Sequence, residues 1–299
     1  MRNAFIDELV ALAMAHEHIA LVVGDLGFSV VEPFADRFPD RFINAGVSEQ
    51  NMTGLAAGMA SEGYHVFTYS IANFPTFRCA EQIRNDVAYH RLPVTVVAVG
   101  GGLAYGSLGY SHHAVQDYAL MRSMPNMLIA APGDPYEVRA CLRYLVSHPQ
   151  PSYLRLGKAG EPVFHAHIPE VEPGKWLAVK NGGATSGSTI LTTGATLELG
   201  VKLSSGDPGA DYAVHSLPLW GMGTKAVQPS WADAFGEILT LEDHLVDAGF
   251  GSWLMESLAG TTGVSKVKVH ALSPEVCGTV GSQITLNRLG GLADNLFDA

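Results

Sequence analysis

Residues 41–63, RFINAGVSEQNMTGLAAGMASEG, set a single carboxylate, Glu49, at the mouth of a run of small and apolar residues. Ser48 suits an N-cap, Met52, Leu55, Ala56 and Met59 recur at helical spacing, and Gly63 suits a helix stop. Glu49 therefore belongs to a first helical turn, just after a strand-like run at 41–45. The helix dipole favours an anion there by about 0.3–1 kcal/mol, enough to account for a purely structural glutamate. Three other stretches carry groups that can do chemistry. In TYSIANFPTF (68–77), Phe74 and Phe77 lie at a strand end. GGGLAYGSLGYSHHAVQD (100–117) is a long glycine-rich loop with two adjacent histidines, His112 and His113. Arg155 ends a predicted strand. Each also has a plain structural reading: core for Phe74, a solvated helix start for the histidines, an internal carboxylate partner for Arg155. The glycine-rich loop matches neither G-x-x-x-x-G-K-[ST] nor G-x-G-x-x-G.

The elements that must position these groups alternate. IALVVGDLG (19–27), HVFTYSI (65–71), PVTVVAVGGG (93–102), NMLIAAP (126–132) and PSYLRLG (151–157) read as buried strands. Between them FRCAEQIRNDVAYH (77–90) and HAVQDYALMRSM (113–124) read as helices. DPYEVRACLRYLVSH (134–148) opens on a capping box, with Asp134 as N-cap, Pro135 at the first helical position and Glu137 three residues after the cap. Near-continuous apolar strands alternating with helices predict an α/β fold with a mostly parallel sheet covered on both faces. In such sheets ligands sit beyond the carboxyl ends of the strands, where all four chemical stretches fall. A turn-rich stretch at roughly 158–188 leads into a second, smaller unit with the same alternation: TILTTGAT, YAVHSLPLW, EILTLEDH, GFGSWLMESLAG and VKVHAL. The expected division is a first domain over 1–165, a linker over 166–185 and a second domain over 186–299. The tail LGGLADNLFDA suggests no role.

Composition narrows the function. The chain has 299 residues, 47% hydrophobic and 16% charged, ample for buried cores and too apolar for disorder. A formal net charge of −11 argues against nucleic acid or an anionic membrane as main partner. The three cysteines, Cys79, Cys141 and Cys277, show no metal or redox spacing, so a reduced, cytoplasmic setting is expected. The opening MRNAFIDELVALAMAHEH reads as an amphipathic helix rather than a signal peptide, and no apolar run has the length of a membrane span.

The segments GVSEQNMTGLAAGMASEG, FRCAEQIRNDVAYHRLPVTVVAVGGGLAYGSLGYSHHAVQDYALMRSMPNMLIAAPGDPYEV and PSYLRLG follow one another in an order and spacing that resembles the pyrimidine-binding domain of the transketolase family. TLEDHLVDAGFGSWLMESL resembles the C-terminal domain that follows in these proteins. The likeness is strongest to the C-terminal subunit of split transketolases. It implies a thiamine-diphosphate enzyme in which the glutamate at Glu49 hydrogen-bonds N1′ of the aminopyrimidine and favours the imino tautomer that removes the thiazolium C2 proton. By the same resemblance Phe74 packs on the pyrimidine, Ile71 takes the place of a second stacking aromatic, and Phe77 helps line the pocket. His112 faces the substrate as proton shuttle or oxyanion partner, with His113 beside it, and Arg155 binds a substrate phosphate.

The departures bear on substrate choice. Where transketolases carry an acid that contacts a substrate hydroxyl, this chain has Leu108, and a further recognition histidine gives way to Gly100–Gly102. A non-standard, less hydroxylated donor or acceptor is expected. VGDLGF with Asn51 only mimics the family's Mg²⁺-binding GDG…N motif, because Asn51 lies on the Glu49 helix. No metal ligands are therefore assigned to this chain. A separate diphosphate-binding subunit holding Mg²⁺ is implied, the two forming an α2β2 heterotetramer around a small-molecule substrate. Two other readings are a β subunit of a 2-oxo-acid dehydrogenase or decarboxylase, and a non-catalytic scaffold.

Overall fold

The computed structural model describes residues 1–183, 187–206 and 211–293. In the first unit the elements are α1 (Arg2–Ala15), β1 (Ile19–Val23), α2 (Glu32–Arg37), β2 (Phe42–Asn44), α3 (Glu49–Ser61), β3 (His65–Ile71), α4 (Ala80–Gln82), β4 (Val94–Val99), α5 (Asp117–Arg122), β5 (Leu128–Ala130), α6 (Pro135–Ser147) and β6 (Ser152–Leu156). In the second they are β7 (Leu177–Lys180), β8 (Ser188–Thr192), α7 (Leu197–Leu203), β9 (Ala213–Ser216), β10 (Leu219–Gly221), α8 (Gln228–Ala232), β11 (Glu237–Leu245), α9 (Phe250–Ser257), β12 (Val267–Leu272) and α10 (Gln283–Leu289). One sheet runs β10-β5-β6-β4-β3-β1-β2, parallel except for β10; the other runs β12-β11-β8-β9-β7, parallel except for β7. Strands β1, β4 and β6 are buried at every residue, as their unbroken apolar runs require for a sheet covered on both faces.

Local chemistry departs from expectation in three places. The helix expected over 77–90 is a turn of 3₁₀ helix, the short α4 and then a π-helical stretch at Ile83–Ala88. Ser48 stands at the N-cap of α3, but its hydroxyl caps nothing. Asp134 does cap α6, accepting from the Glu137 amide at 2.7 Å, yet the Glu137 carboxylate reaches back one residue further, to the Gly133 amide at 2.6 Å.

The stretch expected to be a linker carries structure of its own. Leu177–Lys180 forms β7 on the edge of the second sheet, and Leu219–Gly221, from the second unit, extends the first sheet as β10. The connection is also strapped down. Glu137 takes Ser216 Oγ at 2.9 Å and His165 Nε2 at 2.8 Å, while the second oxygen of Asp134 accepts the Phe164 amide at 2.8 Å. Burial works against charging His165, but the Glu137 hydrogen bond and the charges of Glu137 and Asp134 prevail, so its pKa lies above the ordinary 6.5. A raised imidazole pKa gives stability that is complete below 6.5 and lost as pH rises through the folded value. The melting temperature should therefore fall over that window, and His165→Gln should remove this part of the fall; equal slopes in both proteins would contradict the strap.

Between the units lies a buried charge cluster. Arg155, on β6, is 3% exposed. Its Nε meets Asp117 Oδ2 at 2.7 Å and its Nη1 meets Asp243 Oδ1, on β11, at 2.5 Å. The guanidinium also donates to the carbonyls of Ala114 and Asp243 and lies over the Tyr118 ring. Burial pushes Asp243 above the usual carboxylate range, and Arg155 pulls the other way.

Candidate functional site

At the carboxyl end of the first sheet, Asn44 organises the turn into α3. Its Oδ1 accepts the amides of Gly46, at φ +73°, and Asp25. Its Nδ2 donates to Asp25 Oδ1 at 2.9 Å, so the aspartate of VGDLGF is engaged there and not with Asn51. The turn delivers Glu49 to the first position of α3 with only 3% of its surface exposed. A Cβ on Gly24, just after β1, would lie 3.6 Å from Ser70 Oγ and 3.8 Å from Glu49 Cγ. The buried hydroxyls of Ser70 and Thr68, on the adjacent β3, have no hydrogen-bond partner among the described residues. Glu49 Oε2 accepts from Arg78 Nη1 at 2.8 Å; among the described residues no donor reaches Oε1.

Arg78 links the carboxylate to the aromatic wall, its guanidinium carbon lying 5.5 Å from the Phe74 ring centroid. Phe74 is half-buried in the turn after Ile71, the last residue of β3, and Phe77, 48% exposed, stands at the rim. The His112 ring meets Phe74 edge-on at 5.2 Å. Burial, then His113, lowers the His112 pKa below 6.5, which favours a neutral imidazole able to accept a proton. A cleft of about 520 Å³ opens beside them, walled by Asn73, Phe74, Phe77, Arg78, Tyr110, Ser111, His113 and Gln116; Glu49 and His112 adjoin these walls through Arg78 and Phe74. Glu49, Ile71, Phe74, Phe77 and His112 thus converge on one end of the sheet.

Of the other expected substrate residues, Arg155 does not join them, and His113 reaches the cleft wall with its ring engaged elsewhere. Arg155 is spent on Asp117 and Asp243, so no face of its guanidinium is free for a phosphate. The His113 ring is 1% exposed and turns inward, with Nε2 3.2 Å from the Gly106 carbonyl. Leu108 is 55% exposed on the loop surface. Sequence reasoning misses three residues. Arg78 is the counter-ion of Glu49. Asn73 ties the Phe74 turn to the histidine loop, donating to the carbonyls of Ser111 at 3.2 Å and His113 at 2.8 Å. Lys158, exposed just beyond β6, has its ammonium 5.1 Å from the Tyr105 ring, which in turn meets His112 at 6.4 Å. Among the described residues no carboxylate pairs with Lys158. The signal that could have found it is its place at a strand's carboxyl end, three residues after Arg155.

A buried carboxylate, an aromatic face and an imidazole thus stand together at the carboxyl edge of a parallel sheet. The family model for the transketolase pyrimidine-binding domain matches residues 1–160. The chain is 32% identical to one of the subunits of the apulose-4-phosphate transketolase of Phocaeicola vulgatus, over 86% of this chain and 83% of that one. It is 31% identical to a 6-deoxy-6-sulfo-D-fructose transketolase subunit of a Clostridium species, over 86% and 80%. A solved structure described as a split gene transketolase, inactive beta4 tetramer, superposes with a TM-score of 0.84 at 28% identity, covering 98% of this chain and 94% of that one. The chain belongs to the transketolase family and is a transketolase-like transferase. The family uses thiamine diphosphate with a divalent metal. The residues present suit the aminopyrimidine end of that cofactor. For the other end, no group of three His, Cys, Asp or Glu side chains among the described residues is placed to hold a metal. Nor is any described helix long and apolar enough to cross a membrane.

Proposed function

We propose that this chain is the pyrimidine-binding subunit of a two-component thiamine-diphosphate enzyme that transfers a ketol or acyl unit between small molecules. The observation that carries the reading is Glu49: buried, at a helix start, with no donor to Oε1 among the described residues and with its Oε2 partner, Arg78, lying over the Phe74 ring. When bound, thiamine diphosphate supplies a nucleophilic thiazolium carbon. Glu49 would exchange a proton with the aminopyrimidine, its Oε2 held by Arg78. Phe74 and Ile71 would offer that flat ring apolar surface. Phe77 closes the rim, and the half-buried His112 moves a proton or steadies an oxyanion on the substrate. The partner subunit, of the diphosphate-binding type, holds the diphosphate and Mg²⁺, and the pair assembles as α2β2.

Substrate choice follows from charge. Leu108 offers no acid to a substrate hydroxyl, and Arg155 is sequestered. Lys158, which pairs with no carboxylate among the described residues, lies over the Tyr105 ring that faces His112. The two relatives are named for sugars bearing a phosphate and a sulfonate, and we take a sugar with a terminal anionic group as the substrate class. A charge-assisted hydrogen bond contributes about 1.5–3 kcal/mol. Lys158→Gln should therefore raise KM for such a donor or acceptor roughly 10- to 100-fold with little change in kcat. The test is a coupled assay of the reconstituted pair against phosphorylated, sulfonated and neutral ketoses. Turnover of neutral sugars as fast as anionic ones, unaffected by Lys158→Gln, would remove the assignment.

A further inference from the structure

We propose that the second unit seats the catalytic loop, with Leu286 of α10 as a positioning residue that fixes where His112 stands; this rests on the function proposed above. Residues 103–113 form a loop pinched at its base by an antiparallel bridge between Gly102 and Ala114, with both amide bonds at 2.9 Å. Gly102 and Gly109, at φ +63° and +82°, supply the left-handed backbone its turns need. One side is held by Asn73 of the first unit. The other side rests on the second unit. Gly281 donates its amide to the Gly106 carbonyl at 3.3 Å. A Cβ on Gly106 would lie 2.5 Å from Leu286 Cδ1 and 2.8 Å from the Gly281 carbonyl, so this approach is closed to any other residue. A Cβ on Gly109 would lie 3.5 Å from Val280. Leu103 and Val115, on either side of the loop, share one buried cluster with Leu272, Val276 and Leu286.

These contacts converge on the reacting end. The Gly106 carbonyl meets both the Gly281 amide and His113 Nε2, and His113 is the neighbour of His112. A displacement of the seat is therefore passed along a short chain: Leu286 to Gly106, Gly106 to His113, His113 to the imidazole packed against Phe74. A misplacement of about 1 Å at a reacting group costs roughly 10²-fold in rate, so the seat is placed to control turnover without touching the cofactor. A unit that served only to assemble the complex would have no need to grip this loop.

The test uses two variants approaching the contact from opposite sides, Leu286→Ala and Gly106→Ala, with Ile284→Ala on the exposed face of α10 as control. Hydrogen exchange on the full chain reads the loop directly, and the complex with its partner reads catalysis. The proposal expects amides of residues 106–113 to exchange about tenfold faster or more in Leu286→Ala, those of β3 and β4 to stay as they were, and Gly106→Ala to perturb the same amides. In the complex, kcat should fall roughly 10- to 100-fold in both variants with thiamine diphosphate affinity unchanged, and Ile284→Ala should match the wild type. Unaltered loop exchange, or loosened exchange with unaltered kcat, overturns the positioning role while leaving the function standing. A wild-type pair with no thiamine-diphosphate-dependent transfer overturns the function, and this role with it.

Discussion

Glu49→Gln is expected to lower transfer by the reconstituted enzyme about 10²- to 10⁴-fold, the range that positioned proton transfer contributes. The loss is one of chemistry rather than packing. Glutamine has the same shape, so the 3% exposed site at the head of α3 stays filled. It still presents an oxygen and an amide, but it cannot exchange a proton with a ring nitrogen. Arg78 loses its ionic partner at little cost, because its side chain is 53% exposed and solvent replaces the carboxylate. The variant should thus melt close to the wild type and still bind its partner. Steady-state rates, with cofactor content measured in the same samples, separate lost chemistry from lost binding. A scaffold subunit would show no change at all.

Arg155→Ala should destabilise the fold by about 3–5 kcal/mol in urea unfolding, because it leaves Asp117 and Asp243 as buried, uncompensated carboxylates. Arg155→Lys should recover only part of the loss, since an ammonium lacks the fork that spans Asp117, Asp243 and the Ala114 carbonyl together. At temperatures where the variant stays folded, KM for an anionic substrate should remain within about twofold of wild type, well under the tenfold that 1.4 kcal/mol represents. A large rise in KM with little loss of stability would restore Arg155 to substrate binding.

What the sequence makes legible follows from period and position. The apolar runs at 19–23, 65–71 and 94–99 carry their strand character in every residue, and the parallel order follows from their alternation with helices. Glu49 is legible because a charge at the start of an otherwise small, apolar helix has few bland explanations once Phe74 and His112 follow. Arg155 misleads because a strand-end arginine looks the same whether it faces a ligand or two acids, and those acids lie 38 and 88 residues away in sequence. His113 misleads for a related reason: adjacent histidines in an irregular loop point in different directions, and only the fold shows which one turns toward Gly106. Asn73 gives no local signal and Lys158 only its place beyond a strand end, since their roles arise from loops that meet only after the sheet has formed. The strand at 177–180 hides in a turn-rich stretch because so short an element is too brief for a period to show.

The central claim is that this chain holds half of a shared cofactor site. Equilibrium dialysis with thiamine diphosphate and Mg²⁺ tests it most directly, using this chain alone, a co-purified diphosphate-binding subunit alone, and the two mixed. The account predicts tight retention only in the mixture, and its loss in Phe74→Ala, which removes the ring's stacking face. Equal retention by this chain alone, or none by the mixture, would contradict it.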